Sequence, residues 1–260
     1  VRISIREIRD YQRCPLFYKM RHVDCLPISR SLDEHMRDYL KLALYSYYFS
    51  IIDNKRKSYD ALVKRWEELW FTPDMESAFE EGDLKTKSNE AISMLMKFWD
   101  RLGDEIVQPI AVNFGYEAIF PGKENLHVVG EIDLIKVVND RTRKRETCIS
   151  FFSLSSKIRD TFLVKNDVCI SAAAYAFRSS FKAQEDRIII NNVLCSDDTP
   201  SLRTGNDFIR AEKAIRNICR AINGGVFYPA PNPIHCSKCP YKIFCLNEKS
   251  ISTGGEIDGS

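Results

Sequence analysis

The chain has 260 residues, 44% of them hydrophobic, 11% aromatic and 28% charged, a composition that supports a buried core and excludes collagen-like or mainly disordered sequence. Lys and Arg exceed Asp and Glu by two, 38 against 36, which excludes a global basic field, so any nucleic-acid contact must be local. No apolar run approaches the ~20 residues that span a bilayer and the first residues lack the basic-then-apolar pattern of a secretory signal, so the expectation is a cytoplasmic protein with no membrane partner.

Ser4-Ile5-Arg6-Glu7 is a capping-box pattern, predicting a helix from about residue 5 to the Cys14-Pro15 step, where proline interrupts it. A second short helix carries Leu16, Phe17 and Met20. Ser31-Leu32-Asp33-Glu34 repeats the capping box and opens a long helix through Leu40, Leu44 and Phe49. Two further helices are predicted from about Tyr59 to Trp70 and from about Asn89 to Leu102, the latter with Met94, Leu95, Phe98 and Trp99 on its apolar face.

After Gly103 the helical spacing gives way to β-rich runs, Val107 to Phe120, Leu126 to Val138 and Glu146 to Leu154. They read as a three-stranded meander turning at Pro121-Gly122 and Asn139-Asp140. A helix from about Asp167 to Phe181, a strand from Arg187 to Leu194 and a helix from Asp207 to Asn223 follow. Gly224-Gly225 ends that helix, and Pro229, Pro231 and Pro233 enforce an extended segment. The predicted fold class is α/β, a mixed sheet flanked by helices. It forms one domain over 1–249, with a helical insertion at about 31–102, a core at about 106–223 and a loose tail at 250–260. The basic clusters Lys55-Arg56-Lys57 and Arg141, Arg143, Lys144, Arg145 read as solvated turns.

Nine cysteines, an odd number, fit a reducing compartment and turn attention to metal or cluster ligation. Cys236, Cys239 and Cys245 place three thiols within ten residues. Cys14, also followed by proline, is the candidate fourth ligand; it would close a chain-long loop, where constraint of the unfolded chain is entropically largest. Spacing leaves two chemistries open, a four-thiolate zinc site and an iron–sulfur cluster. A redox role ranks below a stapling one, because the ligands tie the two ends of the sequence. Cys25, Cys148, Cys169, Cys195 and Cys219 read as structural.

The segment from Ser4 through Tyr11, Cys14-Pro15 and Phe17-Tyr18, together with Gly225-Val226-Phe227-Tyr228-Pro229 and Cys236-x-x-Cys239-Pro240-Tyr241-x-x-x-Cys245, resembles the two ends of the iron–sulfur RecB-type nucleases, among them the AddB nuclease domain and the nuclease of CRISPR adaptation. The resemblance implies that Cys14, Cys236, Cys239 and Cys245 hold a [4Fe-4S] cluster. It also implies the PD-(D/E)XK nuclease fold, in which two carboxylates and a histidine bind Mg or Mn and a lysine on the adjacent strand assists water attack.

Against that pattern, Gly130-Glu131-Ile132-Asp133 resembles the strand presenting the first metal carboxylate, with Glu117 matching a further acid. His35 is the best match to the metal-binding histidine, although the glycine that usually precedes it is missing. The next strand, expected as I-x-D-F-K-T-S-S-K, reads Ile149 to Lys157, so the second acid is Phe151 and the lysine is Ser153. In the Q-x-x-x-Y helix, Tyr175 is retained and Ser171 replaces the glutamine.

Three departures at functional positions imply a degenerate nuclease scaffold that grips DNA or another nucleic acid, or docks with protein subunits of a replication, recombination or transcription complex. A virus or prophage could encode such a protein. The alternative is an active Mg/Mn-dependent DNA exonuclease whose site has migrated, with Glu146, Lys157 or Lys165 as substitutes. Tyr45, Tyr47 and Tyr48 serve either as base-stacking platforms or, by their helical placement, as core.

Overall fold

The computed structural model describes residues 1–28, 30–54, 58–102, 107–139, 145–154, 160–193 and 199–245. The Lys55–Lys57 cluster, Asp140, Arg141, Arg143, Lys144, Lys157, Cys195 and the 250–260 tail lie outside the described residues.

Strand β1 (Arg2–Ser4) runs directly into helix α1 (Ile5–Arg13). Ser4 forms the expected capping box: its hydroxyl accepts the Glu7 N–H at 3.1 Å while the Glu7 carboxylate accepts the Ser4 N–H at 2.8 Å. The short helix α2 (Pro15–Tyr18) starts with proline in its first turn and passes into a π-helical turn, Lys19–Val23. Ser31 caps α3 (Leu32–Ile52) through the second expected box with Glu34.

Helix α4 (Tyr59–Trp70) has the predicted bounds, and α5 (Pro73–Ala78) was not anticipated. Helix α6 (Glu81–Leu102) starts eight residues before the predicted Asn89. The added turns are held by indoles: Trp66 Nε1 donates to Ser88 Oγ and Trp70 Nε1 to the Leu84 carbonyl, both at 3.0 Å. Those bonds depend on a facing helix, which periodicity within α6 cannot reveal.

The meander is present as β2 (Val107–Phe120), β3 (Leu126–Asn139) and β4 (Arg145–Ser153), paired antiparallel in chain order. Helix α7 (Thr161–Lys165) and helix α8 (Val168–Phe181) lead to β5 (Arg187–Asn192), parallel to β4. Then come β6 (Thr199–Ser201), α9 (Gly205–Asn223) and α10 (Pro233–Ser237). The sheet is mixed, in the order β1-β3-β4-β5-β6 with β2 on the remaining edge of β3.

β2 occupies one edge of β3 along Leu126–Val138, so β1 and β4 must share the other. β1 pairs with His127–Val129 and β4 with Leu134–Asn139. Between them Gly130–Asp133 faces a fork in the sheet. β1 is three residues long and parallel to its partner, too short for any periodic signal to expose it.

Helices cover both faces. Ile8 of α1, Ile170 and Phe177 of α8 and Ile215 of α9 pack on Val128, Ile132, Ile149 and Ile190. On the other side Tyr48, Trp66, Trp70 and Phe98 from α3, α4 and α6 pack over Val112, Leu134 and Phe152. Tyr45, Tyr47 and Tyr48 all belong to this second core, with exposures of 8%, 8% and 0%, which removes them as base-stacking platforms. Phe49, which lies in α3 as the sequence predicts, is exposed.

Candidate functional site

The sheet fork opens into a cleft of ≈ 920 Å³. Its walls are the β1–α1 junction, the Gly130–Asp133 stretch of β3, the end of β4, the start of α8 and Lys41 of α3. Gly130 is required there by contact: a Cβ at this position would stand 2.6 Å from Ile5 Cγ1 and 2.7 Å from the Tyr116 hydroxyl. No side chain fits without displacing one of them.

Asp133 lies at the base, 5% exposed, and its carboxylate is fully engaged. Oδ1 accepts from Lys41 Nζ at 2.9 Å and from the Tyr45 hydroxyl; Oδ2 accepts from Lys41 Nζ at 3.1 Å and from the Phe152 N–H at 2.7 Å. A carboxylate offers about four lone-pair positions, and each has a protein donor. Burial and the neighbouring Asp133 charge push the Tyr45 phenol far above its ordinary pKa, so it remains a protonated donor.

Lys41 and Tyr45 are four residues apart and project from the same face of α3. Neither was singled out as a site residue. The available signal was a lysine between Leu40 and the apolar Ala43-Leu44 pair, spaced one turn from a tyrosine, although nothing local named its partner.

Phe151 and Ser153 line the same cleft as Asp133, alternate residues on one strand. Phe151 packs partly into the first core, and its neighbour Phe152 stacks on Tyr48 at 5.9 Å across the sheet. Glu117 reaches the cleft rim, where Arg2 at 3.7 Å and His127 Nδ1 at 3.2 Å flank its carboxylate. Fork geometry therefore gathers Glu117, Asp133, Phe151 and Ser153.

The remaining expected positions lie elsewhere. His35 is not among the residues lining the cleft; its ring packs against Tyr39 and Phe79, with centroids at 6.1 and 5.7 Å. The reason is helical phase: six residues separate it from Lys41, about 600° of rotation, which points the two side chains away from each other. Burial and the Arg30 charge lower its pKa.

Ser171 is buried, accepting from Arg203 Nε at 2.9 Å and donating to the Asp167 carbonyl at 3.1 Å. Tyr175 stacks on Phe120 at 4.4 Å within the core. Glu146 faces Arg187 at 3.5 Å, and neither it nor Lys165 lines the cleft.

Helix α1 forms the basic wall. Arg2, Arg6 and Arg9 line the cleft, and Arg9 hydrogen-bonds the Cys169 side chain. Burial opposes the Arg9 charge, but Cys169, Asp167 and Tyr116 outweigh it and raise its pKa. Asp10, also lining the cleft, is held by His22 Nε2 at 2.8 Å and Arg21 Nη1 at 3.4 Å. Glu131 adds an exposed carboxylate on β3.

At the far end of α1 lies a second cavity of ≈ 240 Å³, lined by Cys14, Cys236, Cys239 and Cys245. Cys14 is at once the C-cap of α1 and the N-cap of α2. The Ala230 N–H points to Cys14 Sγ at 3.4 Å and the Asn232 N–H to Cys236 Sγ at 3.3 Å. Leu16, Phe17, Met20 and Tyr241 form a small core behind the thiols, and the Tyr241 hydroxyl donates to the Leu26 carbonyl at 2.9 Å. Among the described residues no three His, Cys, Asp or Glu side chains are arranged to hold a single metal ion.

Of the other cysteines, Cys148, Cys169 and Cys219 are buried and Cys25 is exposed. Cys169 lines the cleft beside Arg9. No helix among the described residues is long and apolar enough to cross a membrane.

The sequence model of the PD-(D/E)XK nuclease superfamily matches residues 2–246. No curated protein matches the chain.

Proposed function

From the premise that the chain belongs to the PD-(D/E)XK nuclease superfamily, we propose that it is a non-cleaving member, holding nucleic acid in the fork cleft as a binding or scaffolding subunit. The observation that carries this reading is the state of Asp133. Lys41, Tyr45 and the Phe152 N–H occupy its lone pairs, and the position that should supply a second acid is Phe151. A divalent ion entering the fork would have to displace a lysine and a tyrosine to gain one carboxylate. Hard cations need several oxygen ligands, and phenylalanine offers none. Lys41 supplies from within the fold the positive charge that a metal would otherwise bring to Asp133.

The second cavity supports a [4Fe-4S] cluster held by Cys14, Cys236, Cys239 and Cys245. Four thiols around a cavity suit a cluster with volume of its own, whereas zinc draws its sulfurs to about 2.3 Å from one point. The two amide N–H···S contacts are of the kind that stabilise cluster thiolates. Bound there, the cluster would supply a cross-link between α1 and the segment after α9.

The test is an anaerobic assay of cluster-loaded protein with labelled single-stranded and duplex DNA, with Mg or Mn, scoring binding and cleavage together beside Asp133→Ala. Binding without cleavage is expected. Metal-dependent cutting abolished by Asp133→Ala would replace this reading with that of an active nuclease.

A further inference from the structure

Arg6, Arg9 and Arg13 follow one another at intervals of three and four, so they share one face of α1. Arg2 extends the line backwards through β1. Arg2, Arg6 and Arg9 line the fork cleft, while Arg13 lines the cysteine cavity. There its guanidinium lies 4.6 Å over the Phe17 ring. The seven residues from Arg6 to Arg13 span about 10 Å along the helix. One basic line thus connects the cleft to the cysteine-bound end of the molecule.

We propose that this α1 face is a phosphate track that seats the backbone of single-stranded nucleic acid, leading it from the cysteine-bound end into the fork. The proposal rests on the nucleic-acid-holding reading above and specifies its contact surface and strand state. Guanidinium groups on a rigid helix suit phosphate oxygens by their forked donor geometry. Carboxylates near the track are largely compensated: Asp10 by His22 and Arg21, Asp133 by Lys41, and Glu117 by Arg2 and His127. Glu131, an exposed carboxylate on β3 that also lines the cleft, disfavours a phosphate on that strand and leaves the α1 arginines as the attractive surface.

Room favours one strand. The cleft volume of ≈ 920 Å³ lies near the upper end of pockets that enclose a single small molecule, roughly 300–1,000 Å³. That accommodates a short stretch of one strand. Tyr116, which lines the cleft, is buried, so grip comes from phosphates and binding should be indifferent to base sequence.

The experiment is fluorescence anisotropy with a labelled single-stranded oligonucleotide and its duplex, titrated at several salt concentrations. Wild type is compared with Arg6→Gln/Arg9→Gln and with Arg65→Gln/Lys85→Gln, the same charge change on α4 and α6. Each phosphate contact on a single strand contributes about 0.7 to the slope of log K against log salt. The α1 double variant should therefore bind roughly tenfold or more weakly and lose about 1.4 from the slope, with the control close to wild type.

Arg6 is exposed, and Arg9 keeps solvent access although it hydrogen-bonds the Cys169 side chain; circular dichroism checks that the double variant retains the fold. Wild-type binding that both double variants retain equally would overturn the track and leave the holding function standing. Tighter binding of the duplex would overturn the strand assignment. No binding by wild type to either probe would overturn both proposals.

Discussion

The Lys41 ammonium and the Asp133 carboxylate, 92 residues apart in sequence, meet at 2.9 and 3.1 Å across the fork. Removing the lysine leaves a nearly buried carboxylate short of a donor on each oxygen. Lys41→Met should therefore destabilise the protein by about 1–3 kcal/mol, an amount moderated by the partial exposure of the lysine side chain. Denaturant melts would measure it. The same substitution frees lone pairs toward the cleft, so Mn titration should detect tighter binding to Lys41→Met than to wild type. Equal affinity would show that Lys41 does not compete with a cation for Asp133.

The four cysteines make a separate prediction. Anaerobically purified protein should contain iron and acid-labile sulfide in equal amounts, about four of each per chain for a four-iron cluster. Cys14→Ser or Cys239→Ser should remove the visible absorption and lower Tm. Stoichiometric zinc with no sulfide would assign the cavity to a four-thiolate zinc site.

Gly130→Ala tests the crowding at the fork. The added methyl would come within 2.8 Å of both Ile5 and the Tyr116 hydroxyl, and forced repacking of this kind costs about 1–3 kcal/mol. A paired Tyr116→Phe change, which removes the phenol oxygen at 2.7 Å, should recover part of that loss. Chemical denaturation of the single and double variants measures the coupling.

Asp207 supplies a pH-dependent prediction. Burial works to raise its pKa, but the Thr204 N–H and hydroxyl and the Arg210 guanidinium outweigh it and hold it at about 2. The folded value is depressed, so its stabilisation is present above the ordinary value of 3.8 and is lost as pH falls through about 2. Asp207→Asn should cost about 1–2 kcal/mol near neutral pH, in the range of a helix cap. The difference from wild type should vanish at the acid end of the titration, as thermal melts across pH would reveal.

The capping boxes at Ser4 and Ser31 were legible in the sequence because a box spans four residues and carries its own donors and acceptors. The meander was legible for a similar reason: β2, β3 and β4 are long enough for composition and turns to mark them. Gly130-x-x-Asp133 and the cysteines could be found because each is a local pattern of residue types. Tertiary structure alone decided what Asp133 touches. Lys41 and Tyr45 reach it only because α3 crosses the sheet beside the fork, and the rotation of α3 that presents Lys41 carries His35 away. It also decided that β1 is a strand, since three residues become one only by borrowing hydrogen bonds from His127–Val129. Local chemistry is written in neighbouring residues; the charge balance of a buried site depends on elements that meet only when the chain has folded.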